Sequence, residues 1–262
     1  MSTANRMPAL FIGHGNPMNA IEDNQWSRAF RALGETLPVP KAVLAISAHW
    51  YVPGTFTTGN EKPETIHDFG GFPQELFDAQ YPAPGDSELA RKVVKMLGSR
   101  SADVRFDWGL DHGTWSVLCH LRPNADVPVV QLSIDRNLAF NEYVDIGRAI
   151  AGLREEGVMI IGSGNITHNL RDAFGHIMSG DSTTPDWAAQ FDSDVASAIE
   201  QRDTSFLSRA NEGELGRQNH PTWDHYVPLL YTLGATDPGE SLTFPITGFD
   251  AGSLSMRAAQ FG

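Results

Sequence analysis

Three histidines each follow an apolar run of the sequence. His14 ends the run ALFIGH, His49 follows AVLAIS, and His168 lies four residues beyond VMIIGSG. Neutral imidazole is a good ligand for Zn, Fe, Ni or Cu, and it also exchanges protons near neutral pH. If the three runs are neighbouring parallel strands, the three rings meet at one edge of a sheet. This pattern fits a metal or catalytic cluster and fits equally well three separate structural histidines that are hydrogen-bonded.

Other histidines lie in different contexts. His112 is in GLDHGTW, just ahead of a helix expected to start near Thr114. His225 is in PTWDHYVPLL, near the start of a late helix, and His67 is in a long loop. Packing or loop contexts are predicted for the remaining three, His120, His176 and His220.

The histidines need a frame that brings distant parts of the chain together. Nearly continuous apolar runs occupy residues 9–14, 42–47, 127–134 and 158–164. Helical patterns occupy residues 26–37, 86–97 and 141–157. Strands that are apolar on both faces and alternate with helices predict an α/β fold with a mostly parallel central sheet flanked by helices. In such a sheet the active site lies at the carboxyl ends of the strands.

Two other regions differ in composition from the alternating part. Residues 53–85 are dense in Gly, Pro, Phe and Thr, and we expect a short strand at 55–59 followed by a long ordered loop. Loops of this length inside a domain are usually functional. One or two helices are predicted near 186–201 and 203–211, and the tail from 242 onward is expected to add one or two closing strands.

Composition limits the classes of function. The 262 residues carry a net charge of −13, which argues against nucleic acid or an anionic membrane as the main partner. Cys119 is the single cysteine, so no internal disulfide forms and a reducing, cytoplasmic compartment is expected. No signal-peptide core and no apolar run of about 18 residues is present. We predict one domain over residues 1–262, as a monomer or a homodimer.

Longer blocks of sequence make the interpretation more specific. In chain order they read LFIGHGNPM, SAHW, TIHDFGGFP, YPAPG, GLDHGTW, VPVVQLSID, SGNITHNLR and DHYVPLLYTLGA. Together the blocks resemble the class III extradiol ring-cleaving dioxygenases, and within them the 4,5-DOPA extradiol dioxygenase branch. The resemblance covers nearly the whole chain. It implies a single catalytic domain, one divalent non-haem metal ion, and a small aromatic diol and O2 as substrates.

The resemblance also implies roles for five histidines. His14, His49 and His225 match the metal-ligand positions. His168 matches the acid/base histidine, which also approaches the metal in the resting enzyme, and His112 matches a further catalytic histidine near the substrate. The wider class has a Glu as third ligand where this chain has His225. Three imidazoles suit Zn(II), which we expect in the purified protein, whereas Fe(II) is expected for dioxygenase activity.

The implied reaction is cleavage of a catechol ring, L-DOPA-like, to a muconic semialdehyde. Trp50, Phe69, Phe72 and Trp115 are candidates for an apolar wall around the ring, and Arg171 is the candidate partner for a substrate carboxylate. Two other functions remain open on the same histidines. One is a zinc-dependent hydrolase, and the other is a non-catalytic protein that binds a metal or a small ligand.

Overall fold

The computed structural model describes residues 6–98 and 100–262. The strands, in chain order, are β1 (Ala9–Gly13), β2 (Ala42–Val52), β3 (Phe56–Thr58), β4 (Asp103–Arg105), β5 (Val129–Asp135), β6 (Val158–Gly164), β7 (Leu242–Ile246), β8 (Phe249–Asp250), β9 (Leu254–Ser255) and β10 (Ala258–Phe261). The helices are α1 (Gln25–Thr36), α2 (Gln74–Asp78), α3 (Ser87–Leu97), α4 (His112–Leu121), α5 (Phe140–Ile150), α6 (Leu170–Ser179), α7 (Asp186–Glu200), α8 (Thr204–Leu207), α9 (Glu214–Asn219) and α10 (Val227–Gly234). Short 3-10 helices cover Pro17–Ala20 and Ala151–Glu156.

Eight of the strands form one sheet in the order β4-β3-β5-β2-β6-β1-β10-β7. The neighbours β5, β2, β6 and β1 are all parallel to one another, so their carboxyl ends lie at the same edge. The predicted α/β fold with a mostly parallel central sheet is confirmed. The four apolar runs are the four strands of this parallel core, because each is buried on both faces.

Helices cover both faces of the sheet. Alternate residues of β1 point to opposite sides, so Phe11 belongs to the core that includes residues of α3, α5, α7 and α10, and Leu10 belongs to the core that includes residues of α1 and α4. The helix ends are capped, since the Asp86 side chain accepts from the Leu89 amide at the start of α3 and Gly157 adopts a left-handed conformation after the 3-10 helix Ala151–Glu156. Among the described residues, none of the helices has both the length and the apolar character needed to cross a membrane.

Several boundaries differ from the sequence-based expectation. His112 is the first residue of its helix rather than preceding it, because Asp111 is the N-cap. The helix expected at 203–211 is shorter, Thr204–Leu207, and Glu214–Asn219 forms a further helix. The tail forms four short strands instead of one or two. One of them, β10, inserts antiparallel between β1 and β7, and β8 pairs with β9.

Candidate active site

The structure brings the five predicted site histidines into one cavity. His14 directly follows β1, His49 lies within β2, and His168 lies four residues beyond β6. β2 is longer than predicted, and its register with β5 shifts between Ile46 and Tyr51, the segment that contains His49. With His112 and His225 these residues line a cavity of about 430 Å³ at the carboxyl edge of the sheet. The expected convergence of distant histidines is therefore present.

His14 is fixed by a serine behind it. The Ser163 hydroxyl donates to the Gly113 carbonyl at 2.5 Å and lies 3.0 Å from Nδ1 of His14. Since the hydroxyl proton is already used, Nδ1 of His14 is the donor and its Nε2 carries the lone pair. Gly15 follows with a φ of +63°, a conformation that favours glycine and turns the chain away beneath the ring.

One carboxylate of the long loop holds two of the other histidines. Asp68 accepts from Nδ1 of His49 and from Nδ1 of His112, both at 3.0 Å, and also from the His112 amide at 2.9 Å. A carboxylate bonded to Nδ1 leaves Nε2 free for a metal or a substrate. TIHDFGGFP lies in the loop that was predicted to be functional, but nothing in the sequence singles out Asp68 within it. The only signal is its carboxylate, inside a matched block of that loop.

His225 is held from two sides. Asp224 accepts from Nδ1 of His225 at 2.5 Å, and the Asn165 amide donates to the His225 carbonyl at 2.9 Å. Gly164 is essential to this approach, because a Cβ there would lie 2.0 Å from the same carbonyl. The end of β6 and the segment before α10 are thereby locked together.

His168 differs from the other four. Its backbone amide donates to the Asn219 carbonyl, and its ring stacks on His225 with centroids 3.4 Å apart and planes within 6°. Among the described residues, no hydrogen bond is made by its ring nitrogens. His168 thus faces the cavity as an unanchored imidazole beside the anchored ones.

The donor geometry fits a divalent metal ion. Nε2 of His14 lies 3.2 Å from Nε2 of His49, and both Nδ1 atoms face acceptors. Two lone pairs this close repel one another unless a cation, a proton or a metal, lies between them. A separation of 3.2 Å is compatible with two ligands of one ion at the usual metal–nitrogen distance of about 2.0–2.1 Å.

Two histidines compete for the third position. The ring centroids of His14, His49 and His225 form a nearly equilateral triangle with sides of 5.1, 5.0 and 5.1 Å. Nitrogens of His14, His49 and His112 also lie within 4.8 Å of one another. The nitrogens thus group His112 with His14 and His49, whereas His225 is placed near them by its ring position, so the ligand set expected from the sequence remains a prediction.

Burial and neighbouring charges decide which rings are neutral. Burial, with the nearby histidines, holds the pKa of His14 and of His168 well below the usual value. Burial also lowers the pKa of His112 to about 4 and lowers that of His225, against the effect of their carboxylate partners. Burial would lower the pKa of His49 too, but the hydrogen bond to Asp68 raises it above its usual value. Most of the rings are therefore ready to act as ligands or as proton acceptors.

The other histidines form structural hydrogen bonds. Nε2 of His120 lies 2.7 Å from the Asn19 carbonyl, and Nε2 of His220 lies 2.6 Å from the Ile166 carbonyl. His67 contacts the Ala79 carbonyl at 2.9 Å. These rings lie outside the cavity lining, as does His176, which was expected in a loop but lies in α6; packing was expected for His120 alone.

Two of the four aromatic residues predicted to form an apolar wall line the cavity. Phe69 and Phe72 line the cavity, but Trp50 is buried against Trp108 and Trp115 donates to the Ile66 carbonyl. Most of the remaining apolar wall comes from α6, a helix that was not predicted from the sequence, and Pro17 and Leu254 complete it. Arg171, the candidate partner for a substrate carboxylate, lines a separate surface pocket on the other side of α6.

Comparisons with known proteins agree with this arrangement. The chain is 46% identical to the Escherichia coli (strain K12) protein named 4,5-DOPA dioxygenase extradiol, covering 99% of this chain and 96% of that protein. It is 35% identical to a Beta vulgaris protein of the same name, covering 99% and 98%. The crystal structure of an uncharacterized protein from Escherichia coli K12 superimposes with a TM-score of 0.85 at 42% identity, covering 98% of this chain and all of that one.

The family profile described as the catalytic LigB subunit of aromatic ring-opening dioxygenase matches residues 8–247. This range contains all five cavity histidines and both of the carboxylates that hold them. The resemblance inferred from sequence blocks is confirmed, and the chain belongs to the LigB family of extradiol ring-opening dioxygenase enzymes.

Proposed function

We propose that the protein is a metal-dependent dioxygenase that cleaves the ring of a catechol beside one hydroxyl, with O2, to a muconic semialdehyde. The observation that carries this proposal is the pair of Nε2 atoms of His14 and His49, 3.2 Å apart at the floor of an apolar cavity. L-DOPA is the first catechol to assay, because the relatives' names refer to it.

We assign the metal to His14, His49 and His225, with His168 in reach of the same ion. Each of the first three has its Nδ1 bound to a polar side chain, which orients Nε2 toward the cavity. When bound, a divalent ion supplies Lewis acidity that lowers the pKa of a catechol hydroxyl, and as Fe(II) it supplies the redox chemistry that O2 requires. We expect zinc in the purified protein and Fe(II) in the active one.

His168 is assigned as the acid/base group. Its low pKa keeps the ring neutral at pH 7, and a neutral imidazole with no other hydrogen bond accepts a proton from a substrate hydroxyl. The stacked ring of His225 restricts its tilt, so the accepting nitrogen stays directed into the cavity. The proton taken from the hydroxyl is then available for return to the product.

His112 is assigned to hold the substrate. Its Nδ1 donates to Asp68, so its neutral Nε2 is an acceptor on the cavity side. An acceptor at this position favours a protonated hydroxyl on the diol. It therefore helps to distinguish the hydroxyl that remains protonated from the one that loses its proton.

The remaining assignments concern the surroundings of the reaction. We propose that the protein acts in the cytoplasm on a small aromatic diol and O2, with no nucleic acid or membrane partner, as a monomer or a homodimer. The strongly negative net charge and the single thiol support this assignment.

Oxygen uptake tests the reaction. The protein is loaded with Fe(II) without air, its iron content is measured, and catechol and L-DOPA are added in aerated buffer. We expect oxygen consumption together with a yellow product that absorbs as a semialdehyde. Iron-loaded protein that consumes no oxygen with any catechol would falsify the proposal. Zinc-dependent ester hydrolysis without oxygen uptake would favour the hydrolase instead.

A further inference from the structure

The mouth of the active-site cavity is apolar, and one helix supplies much of it. Leu170, Phe174 and Ile177 follow one another at spacings of four and three, so they share one face of α6. They line the same cavity as Phe69 and Phe72 of the long loop. The histidines form the floor, so a ring bound there directs its substituent toward this mouth.

The α6 side chains are exposed although they border a cavity. The exposed fractions are 48% for Leu170, 59% for Phe174 and 52% for Ile177. Contiguous apolar surface that faces water at a pocket is typical of a surface that a ligand covers. A hydrocarbon substituent would remove this surface from water, and the gain grows with the buried apolar area.

The charges around the cavity also favour a substituent without a carboxylate. Among the described residues that line it, the ionisable groups are the five histidines and Asp68, with no lysine or arginine. Asp68 is negative and already accepts from two histidines. A carboxylate on the substituent would lose water here without gaining a cation, which is costly. Arg171 does not supply one, because it lines the pocket that contains Asp172 and His176.

We propose that this site selects catechols whose substituent is uncharged and apolar, such as an alkyl or aryl chain, over catechols that carry a carboxylate. The selectivity resides in Phe174 and Ile177 of α6. This inference rests on the proposed function and names the substrate class of the same site. It places L-DOPA among the weaker substrates.

A pair of compounds of equal length tests the proposal. 4-Propylcatechol and 3-(3,4-dihydroxyphenyl)propanoate share the diol and the three-carbon chain and differ in the terminal carboxylate. Binding to the zinc-loaded protein is measured by calorimetry, and kcat/KM is measured with the iron-loaded protein. We expect 4-propylcatechol to be favoured at least tenfold in both. Equal or tighter binding of the carboxylate, or binding of neither compound, overturns the proposal.

Substitutions in α6 test which of its residues determine the preference between the two compounds. Ile177→Arg adds a cation at the mouth and is expected to reverse the preference toward the carboxylate. Met178→Arg is the matched control, because Met178 is 85% exposed on the same helix and does not line the cavity. Phe174→Ala is expected to weaken the binding of 4-propylcatechol several-fold more than it weakens the binding of unsubstituted catechol. Equal effects of Ile177→Arg and Met178→Arg would contradict the assignment.

The two proposals fail in different ways. If the iron-loaded protein consumes no oxygen but the zinc-loaded protein still prefers 4-propylcatechol, the dioxygenase function is wrong and the selectivity of the site stands. If oxygen is consumed with all catechols at equal kcat/KM and equal affinity, the function stands and the selectivity is wrong.

Discussion

At the scale of single residues, Asp68 connects the two halves of the active site. It is the common acceptor for His49, which comes from a strand, and His112, which begins a helix. Burial alone would raise the pKa of Asp68, but the hydrogen bonds from His112 and His49 hold it well below its usual value. The carboxylate is therefore ionised at every physiological pH and keeps both histidines oriented.

Replacement of this carboxylate tests its positioning role. Asp68→Asn removes the charge and gives the two Nδ1 atoms a weaker acceptor, so we expect metal affinity to fall about 10–100-fold. Metal titration followed by chelator competition measures the change. Asp78→Asn, at the exposed last residue of α2, is the control and is expected to bind metal normally. Unchanged affinity in Asp68→Asn would remove Asp68 from the metal-binding function.

The ligand set is also decided at this scale. His14→Ala, His49→Ala and His225→Ala are each expected to lower the metal content of the purified protein, because each removes one nitrogen from the ion. His168→Ala is expected to retain metal and lose rate by about 10²–10⁴-fold, the usual contribution of an acid/base group. Elemental analysis and oxygen uptake separate the two classes.

His112→Ala is the comparison that discriminates between ligand sets. We expect it to retain metal, although its nitrogen lies within 4.8 Å of those of His14 and His49. Metal loss in His112→Ala with retention in His225→Ala would replace His225 by His112. Metal loss in His168→Ala would make His168 a ligand rather than an acid/base group.

At the scale of elements, the site depends on close backbone contact where β6 ends. Gly164 lets the His225 carbonyl approach and accept from the Asn165 amide. The contact joins the strand end to the segment before α10. Any side chain at position 164 must push the His225 segment outward.

The expected result of Gly164→Ala is a coupled loss of stability and metal. A Cβ would lie 2.0 Å from the His225 carbonyl oxygen, and backbone on both sides must move. We expect a lower unfolding midpoint in urea and a lower metal content. Gly175→Ala is the matched control within helix α6, because its Cβ meets nothing within 4 Å. It is expected to stabilise the protein by about 0.5–1 kcal/mol. Similar midpoints for the two variants would show that the contact at Gly164 can relax.

Strands whose hydrophobic pattern is clear could be predicted from the sequence. The positions of loops that depend on tertiary contacts could not. The four core strands were visible because burial on both faces makes their sequences continuously apolar. α6 was missed although Leu170, Phe174 and Ile177 recur at helical spacing, so the sequence did carry a signal for this helix. The five histidines were found from strand ends and matched blocks. Asp68 was missed because the sequence does not show that its loop folds back over His49 and His112.

At the scale of the whole molecule, the two cores bury several imidazoles in neutral form. His220 is an example outside the cavity lining, packed between Phe191 and Trp223 with Nε2 donating to the Ile166 carbonyl. Burial lowers its pKa to about 4, against the raising effect of that hydrogen bond. In the unfolded chain the same group has a pKa near 6.5.

Acid should therefore destabilise the metal-free protein in a defined range. Above pH 6.5 His220 is neutral in both states and contributes no pH dependence. Between pH 6.5 and 4 the unfolded chain binds a proton that the folded state does not, so the free energy of unfolding decreases as the pH falls. For a shift of this size the loss is about 3 kcal/mol from His220 alone. Below pH 4 both states are protonated and the contribution is constant.

Urea unfolding of the metal-free protein at several pH values measures this dependence. His220→Gln has no titratable group, so its free energy of unfolding is expected to decrease less steeply between pH 6.5 and 4. The variant is less stable than the wild type at pH 7.5, where only packing and the hydrogen bond to Ile166 are lost. The two curves should therefore approach each other as the pH falls. Parallel curves would mean that His220 takes up its proton with the same pKa in the folded and unfolded states, which would contradict this prediction.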